Sequence, residues 1–420
     1  MLASWTGPCA RQDPIEYFAQ HEAAEYRGLW LRPSSGEALV AIGCARDLVG
    51  QGAERFAQVA SAWRELLAEA VVDGLATDAA HGPVAFGGFS FDPMRSRTDA
   101  WKAFSDARMV VPERLLSVRR GGGWITSNAM VGVEAPPPAP GRDSGGSREP
   151  LPLSPEAWQA TVAEMAGGIR TAALGVEKVV LARAQTVRVR RPIEAALRHL
   201  AASYPTCTLF AIAHGDACFL GATPEELIAL RNGVASTAAL AGSAPRGATA
   251  AEDEQLARRL LSDAKEQREH ALVVAALSEG LAQTCTRTIA DAQPRVHKLA
   301  NVQHLLTPIR GQVAAGRTVL DLVARLHPTP AVGGHPRQRA LELIRTCEAL
   351  DRGWYSGPIG WMNRDGEGEF VVGLRSALIR GESATLFAGC GIVAESNPVT
   401  EAAEWGWKLR PMLAALEAET

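Results

Sequence analysis

Residues 207–230 read CTLFAIAHGDACFLGATPEELIAL. Three apolar runs, 207–213, 217–221 and 226–230, are separated by short pieces that contain Gly, Asp and Pro. Those residues break strands and close turns. Connections this short join antiparallel neighbours, because a parallel pair needs a crossover of about a dozen residues or more. The stretch therefore predicts a mixed or antiparallel sheet rather than a purely parallel one.

The rest of the chain extends that reading. Ser154 suits an N-cap and Pro155 the first helical turn, which predicts a helix to about Leu174. A strand from Lys178 to Ala184 and a helix near 193–203 follow. Downstream come a long helical pattern over 250–283 and strands at 355–362, 369–379 and 384–393. The last helix starts at Asn397-Pro398 and runs to about Leu416. Nearer the N-terminus, Phe56, Val59, Ala60, Trp63, Leu66, Leu67, Ala70 and Val71 step by three and four, which predicts a helix from Ala53 to about Val72. The run VAFGGFSFDP (84–93) reads as a glycine-interrupted strand pair. Residues 135–153, APPPAPGRDSGGSREPLPL, cannot build a core and read as a linker or exposed loop.

Composition narrows the function. Of 420 residues, 43 are Lys or Arg and 46 Asp or Glu, a net charge of −3. Such a chain is a poor sequence-independent binder of nucleic acid, which needs a basic surface. Apolar residues at 47% and charged residues at 21% are ordinary for a folded protein. The seven cysteines are scattered and contain no Cys-x-x-Cys pair, so neither a disulfide framework nor a zinc ribbon is expected. No apolar run reaches the ~20 residues that cross a bilayer. The start of the chain has no apolar core of signal-peptide length, so a cytoplasmic protein without a membrane anchor is expected.

Several residues could carry chemistry. Lys178, in GVEKVVLAR, shares a strand face with Val180 and Ala182. It is either a solvated edge charge or a lysine aimed into a cleft, where burial would make it a usable base. Glu225, in FLGATPEEL, is either a solvated turn residue or a partly buried acid with a raised pKa. Glu266, Glu269 and His270 lie within one helical turn, and Glu401, Glu404 and Lys408 share a face of another helix. Glutamates from two distant helices suit a hard cation such as Mg2+. The glycines of AALAGSAPRG (238–247) and LFAGCGIVAES (386–396) mark either a bulge or a close approach to a ligand carboxylate. Neither stretch has P-loop or Rossmann spacing, and there is no His-Glu-x-x-His or Gly-x-Ser-x-Gly. His304 and His327 stand beside apolar runs, where a core role is common.

The order of the motifs says more than any one of them. KVVLAR, GATPE, LAGS, KEQREH, VQHL, HPTPAVGGHP, GWYSGPIGW, LRSALI, AGCGIV and E-x-x-E-x-x-x-K follow one another over about 154–418. This succession resembles the chorismate-utilising enzymes, and within them isochorismate synthase best. The resemblance implies a single α+β unit over residues 1–420 with two packed antiparallel sheets, flanking helices and a deep cleft, the fold of anthranilate synthase component I. The 135–153 segment then becomes a surface loop within that unit. By resemblance, Lys178 is the base that activates water and Glu225 the acid that protonates the departing hydroxyl. Glu269 and Glu404 hold Mg2+, with Glu401 supporting. Arg375 and Tyr355 grip the enolpyruvyl carboxylate, while Gly389, Gly391 and Lys408 assist with the two carboxylates. Gly242 and Ser243 line the site near the metal, and His304 faces the ring. Ammonia-using relatives lack a lysine at position 178, or carry one where this chain has Ala241, and usually have threonine where it has Ala331. The implied nucleophile is thus water. The alternatives are a salicylate synthase, an ammonia-using member and an inactive chorismate-binding protein. No glutaminase subunit is implied, and a monomer is expected. Cys390 replaces the alanine usual between the two glycines.

Overall fold

The hairpin expected at 207–221 forms as the antiparallel strands Thr208–His214 and Ala217–Thr223. In this computed structural model, which describes residues 1–74, 81–132, 154–299 and 302–417, the third strand does not continue that sheet. Glu226–Arg231 joins a second sheet instead, and only Pro224 and Glu225 separate the two.

Counted over the described residues, the first sheet has twelve strands. Its order is Gly334–His335, Lys178–Arg188, Ser383–Ile392, Ser376–Arg380, Ala217–Thr223, Thr208–His214, Tyr26–Arg32, Glu37–Ile42, Arg114–Arg119, Gly122–Met130, Leu2–Cys9 and Val71–Gly74. The second sheet has ten. Nine run Cys285–Ala290, Val302–Val313, Val234–Pro245, Glu226–Arg231, Gly368–Val372, Pro358–Asn363, Val84–Phe89, Ala107–Val111 and Arg46–Gly50, and Arg295–Lys298 pairs with Val302–Val313 off this path. Among the described residues every pairing is antiparallel except Leu2–Cys9 with Val71–Gly74. Strands from the first 130 residues enter both sheets.

Strand alternation splits the core in two. Phe210 and Ile212 face one way, Leu209 and Ala211 the other. The first pair joins an aromatic layer fed by both sheets, with Trp30, Phe219 and Phe387 from one and Phe86, Ile359 and Trp361 from the other. The opposite faces are covered by helices. Pro398–Leu416 packs on Ser383–Ile392, and Ala264–Ala282 packs on Val234–Pro245.

Where the elements differ from the sequence reading, a backbone feature explains it. The 369–379 run divides into Gly368–Val372 and Ser376–Arg380, which belong to different sheets. Arg375 turns the chain between them with a φ of 48°. The 250–283 helix divides into Ala250–Ser262 and Ala264–Ala282 because Asp263 is extended and its Oδ1 accepts from the Glu266 N–H at 3.0 Å, capping the second piece. The 84–93 pair is a single strand, Val84–Phe89, and its glycines mark tight contacts rather than a turn. A Cβ at Gly88 would lie 2.7 Å from the Trp354 ring. The strand expected at 355–362 starts at Pro358, after a turn with Ser356 at φ 60°. The first long helix ends at Arg170, and the strand from Lys178 runs on to Arg188. The 135–153 segment, read as a linker or surface loop, lies outside the described residues.

Phe219 is fully buried in the layer between the sheets, against the rings of Trp101, Phe104 and Phe210. Phe219→Ala is expected to cost about 3–5 kcal/mol. Urea denaturation checks it, and a loss below about 1 kcal/mol would contradict the packing described.

Candidate active site

Two crossings of the chain between the sheets lie side by side. The Ala222 N–H donates to the Arg375 carbonyl at 3.2 Å, and the Val372 N–H donates to the Glu225 carbonyl at 3.0 Å. Glu225 and Arg375 thus stand next to each other in space though 150 positions apart in sequence. Both line the same cleft.

The other walls come from seven segments of the chain. The strand Val234–Pro245 supplies Ala241, Gly242 and Ser243. Its pairing with Val302–Val313 shifts register between Ala241 and Ser243, and Gly242 sits in that bulge with φ 77°. The bulge points the Ser243 N–H at Glu266 Oε2, 2.8 Å away. Ser243 Oγ lies 2.9 Å from His304 Nδ1. Ala331 lines the cleft from the loop before Gly334. Tyr355 lines it too, its ring stacked on Phe387 with centroids 5.1 Å apart. Gly389 and Gly391 come from the strand Ser383–Ile392, and Glu401, Glu404 and Lys408 from the last helix. Glu266 and Glu269 face them from Ala264–Ala282.

Lys178 is not part of the exposed lining but lies directly behind it, only 1% exposed. Its Nζ contacts Glu269 Oε1 at 2.8 Å. In the pairing of Lys178–Arg188 with Ser383–Ile392, Val180 lies opposite Gly391 and Ala182 opposite Gly389. The glycine makes room for the lysine: a Cβ at Gly391 would lie 2.7 Å from Lys178 Cε and 3.2 Å from its Nζ. The bland reading of Lys178 as a solvated edge charge is therefore wrong, and so is that of Glu225, which is 8% exposed.

Burial and charge set the protonation states. Burial pushes the Glu225 carboxyl up to about 7, against the opposing pull of Lys178, Arg375 and Lys408. Burial, with Arg375 and Lys408, brings His304 down to about 3, so its imidazole is neutral. Its Nε2 is buried and has no protein partner. Burial and the neighbouring Glu269 raise Glu266 to about 6. Burial disfavours the Lys408 charge, yet Glu404 at 2.6 Å holds its pKa above the ordinary range. Burial likewise opposes the Lys265 charge, and Glu401, Glu266, Glu269 and Glu404 together outweigh it.

One group of side chains could hold a metal. Glu401, Glu404 and Cys390 offer ligand atoms within 4.8 Å of one another. Carboxylate oxygens are what Mg2+ takes. Burial holds the Cys390 thiol well above its ordinary pKa, and the thiol donates to the Glu401 carbonyl at 3.3 Å, so it stays protonated. Glu269 lies in the same cleft but is engaged by Lys178. Lys265 is a site residue to which the sequence reading gave no role, although it belongs to KEQREH with Glu269; Glu266, read there as one of the helical carboxylates, also lines the cleft. His327 is different: it is buried away from this cleft, with Nε2 near the Phe91 carbonyl at 3.0 Å.

The sequence profile of the family described as chorismate binding enzyme matches residues 1–139 and 147–417. The chain belongs to the chorismate binding enzyme family. The match includes the N-terminal part, which the ordered motifs over about 154–418 do not reach. The chain is 38% identical to a Pseudomonas aeruginosa protein named salicylate biosynthesis isochorismate synthase, over 97% of this chain and 88% of that one. It is 35% identical to the isochorismate synthase MenF of Bacillus subtilis, over 100% of this chain and 94% of that one. Among solved structures it is similar to DhbC from Bacillus anthracis, described as a putative 2,3-dihydroxybenzoate-specific isochorismate synthase. That likeness has a TM-score of 0.77 and 27% identity, and covers 96% of this chain and 99% of that one. The α+β fold with two large antiparallel sheets is that of the family.

The contact between Gly391 and Lys178 is testable in this enzyme. Gly391→Ala is expected to displace the lysine and lower chorismate turnover by about 100-fold, the scale of a 1 Å misplacement. Circular dichroism should show an intact fold. A variant with near-normal turnover would contradict the placement.

Proposed function

We propose that the protein is an isochorismate synthase, which converts chorismate to isochorismate. The observation that carries this reading is the pair of Lys178 and Glu225. Each is buried at one cleft, and the acid has a pKa close to neutrality. Such a pair suits a reaction that adds water at one carbon and expels hydroxide, as water, at another.

Lys178 Nζ, positioned by Glu269, roofed by Gly391 and acting in its free-amine form, takes a proton from the attacking water. That water's oxygen bonds the ring carbon next to the one bearing the carboxylate. Both ring double bonds shift by one position, the C–O bond to the original hydroxyl breaks, and Glu225 donates the proton that lets it leave as water. One water enters and one leaves, so the product is an isomer, and proton exchange with solvent returns Lys178 to the amine and Glu225 to the acid. Arg375 is half-buried in the cleft lining and presents a fork suited to the enolpyruvyl carboxylate, alongside Tyr355. Ala241 and Ala331 line the cleft without an amine or a hydroxyl of their own, so neither position offers a nucleophile to compete with water. His304, neutral and with Nε2 unpartnered, faces the ring.

Glu404 and Glu401, with Glu269, would hold Mg2+. When bound, the ion would neutralise the ring carboxylate and fix its position. Gly389, Gly391, Ser243 and Lys408 complete the carboxylate end. The reading includes one folding unit over the whole chain, a monomer that needs no glutaminase subunit, and a cytoplasmic address. No helix among the described residues is long and apolar enough to cross a membrane.

Purified protein with Mg2+ and chorismate should yield isochorismate on chromatography, without pyruvate. Pyruvate would instead favour a salicylate synthase, and an amino product with ammonia an amide-forming member. Lys178→Ala should abolish turnover and keep chorismate binding by calorimetry. An unaffected rate would remove the lysine from the base role.

The pH profile follows from Glu225. As the acid it must be protonated, which holds below about 7. The value of kcat/KM should therefore fall as pH rises through about 7, and Glu225→Gln should be inactive across the range. A flat profile to pH 9 would contradict the assignment.

A further inference from the structure

Three lysines share the carboxylate end of the cleft, and the structure holds them differently. Lys178 is 2.8 Å from Glu269 and fully buried. Lys408 is 2.6 Å from Glu404 and also donates to the Gly389 carbonyl at 2.8 Å. Lys265 has no such short contact. Its Nζ stands 3.6 Å from Glu266 Oε1 and 3.5 Å from Glu401 Oε1, and its side chain is 29% exposed. A good charge-assisted hydrogen bond is about 2.7–2.9 Å long. Lys265 is therefore held by the field of several glutamates rather than by one bond.

Its position gives that field a purpose. Glu266 and Glu269 belong to the helix Ala264–Ala282, and Glu401 and Glu404 to Pro398–Leu416. The Lys265 ammonium pairs with one carboxylate from each, so it bridges the two helices. Carboxylates brought together in a partly desolvated cleft repel unless a cation lies among them. Lys178 and Lys408 are anchored by short bonds to a single carboxylate each. Lys265 alone of the three is both central and loose, on a flexible four-carbon stem that can swing into solvent.

We propose that Lys265 is the built-in counter-cation of the four glutamates, holding the two helices together until a divalent cation displaces its ammonium. The proposal rests on the Mg2+ site described above. It assigns Lys265 a positioning role, with no contact to the reacting atoms. A small divalent ion wins the exchange because it binds carboxylate oxygens at about 2.0–2.1 Å and has twice the charge. The exchange weakens the apparent Mg2+ affinity of the free enzyme, since each binding event must break the Lys265 pairs. In return, the metal-free cleft keeps its shape.

Two measurements on the full-length protein test this, with Lys265→Met and Lys265→Arg. In chelator, Lys265→Met should melt several degrees below wild type, and saturating Mg2+ should close that gap. In calorimetric titration with Mg2+ alone, Lys265→Met should bind about tenfold more tightly than wild type, while Lys265→Arg should stay within about threefold. A melting deficit that persists equally in Mg2+ would make Lys265 an ordinary structural lysine and overturn the proposal. So would an unchanged or weaker Mg2+ affinity in Lys265→Met, against a wild type that binds normally. If wild type itself takes up no Mg2+, the metal site fails and the proposal falls with it.

Discussion

Two backbone hydrogen bonds tie the place where the chain passes between its sheets: Ala222 N–H to the Arg375 carbonyl, and Val372 N–H to the Glu225 carbonyl. Each crossing is only two or three residues long, so there is no slack for either side chain to wander. At one crossing the chain delivers an acid, and at the other an arginine with φ 48°. A backbone conformation this uncommon for a non-glycine residue persists where surrounding structure enforces it. Here the two sheets do so, joined by an aromatic layer that includes Trp101, Phe219 and Phe387. The stability of that layer and the geometry of the cleft are thus one constraint.

The second requirement is electrical. The cleft gathers Glu225, Glu266, Glu269, Glu401 and Glu404 with Lys178, Lys265, Lys408 and Arg375 around it. Buried charges are tolerable only when paired. The lysines do this pairing, each with a different grip. The near-zero net charge of the whole chain, −3, is compatible with a strongly charged site because the field is focused within the cleft. Glu225 escapes pairing by remaining protonated near neutrality, which is the form a proton donor needs.

Much of this was legible in the sequence, and the rest was not for identifiable reasons. Proline at the start of two helices fixed their N-termini, and both Pro155 and Pro398 open helices as expected. The glycine of LAGS marked a bulge, and those flanking Cys390 marked close approach. All fourteen other residues assigned to the site line the cleft, with Lys178 directly behind it. Periodicity, however, reports which face of a strand is buried, not which sheet the strand joins. The runs 226–230 and 369–379 therefore read as ordinary strands, although one opens a new sheet and the other changes sheet midway. The break at Asp263 was hidden because the sequence on both sides of it reads as helix, while its capping bond depends on side-chain geometry. Lys265 was hidden for a similar reason. A lysine beside a glutamate in a helix is usually solvated, and the approach of Glu401 from the last helix, which adds a partner from a second element, depends on tertiary structure.

In the proposed mechanism a buried lysine and a buried acid exchange one hydroxyl for water at this cleft. Turnover of chorismate in oxygen-18 water, with mass spectrometry of the isochorismate formed, tests it most directly. The product should carry one solvent-derived oxygen at the new hydroxyl. Product with no isotope enrichment would mean that the original hydroxyl had migrated within the substrate, and would contradict it.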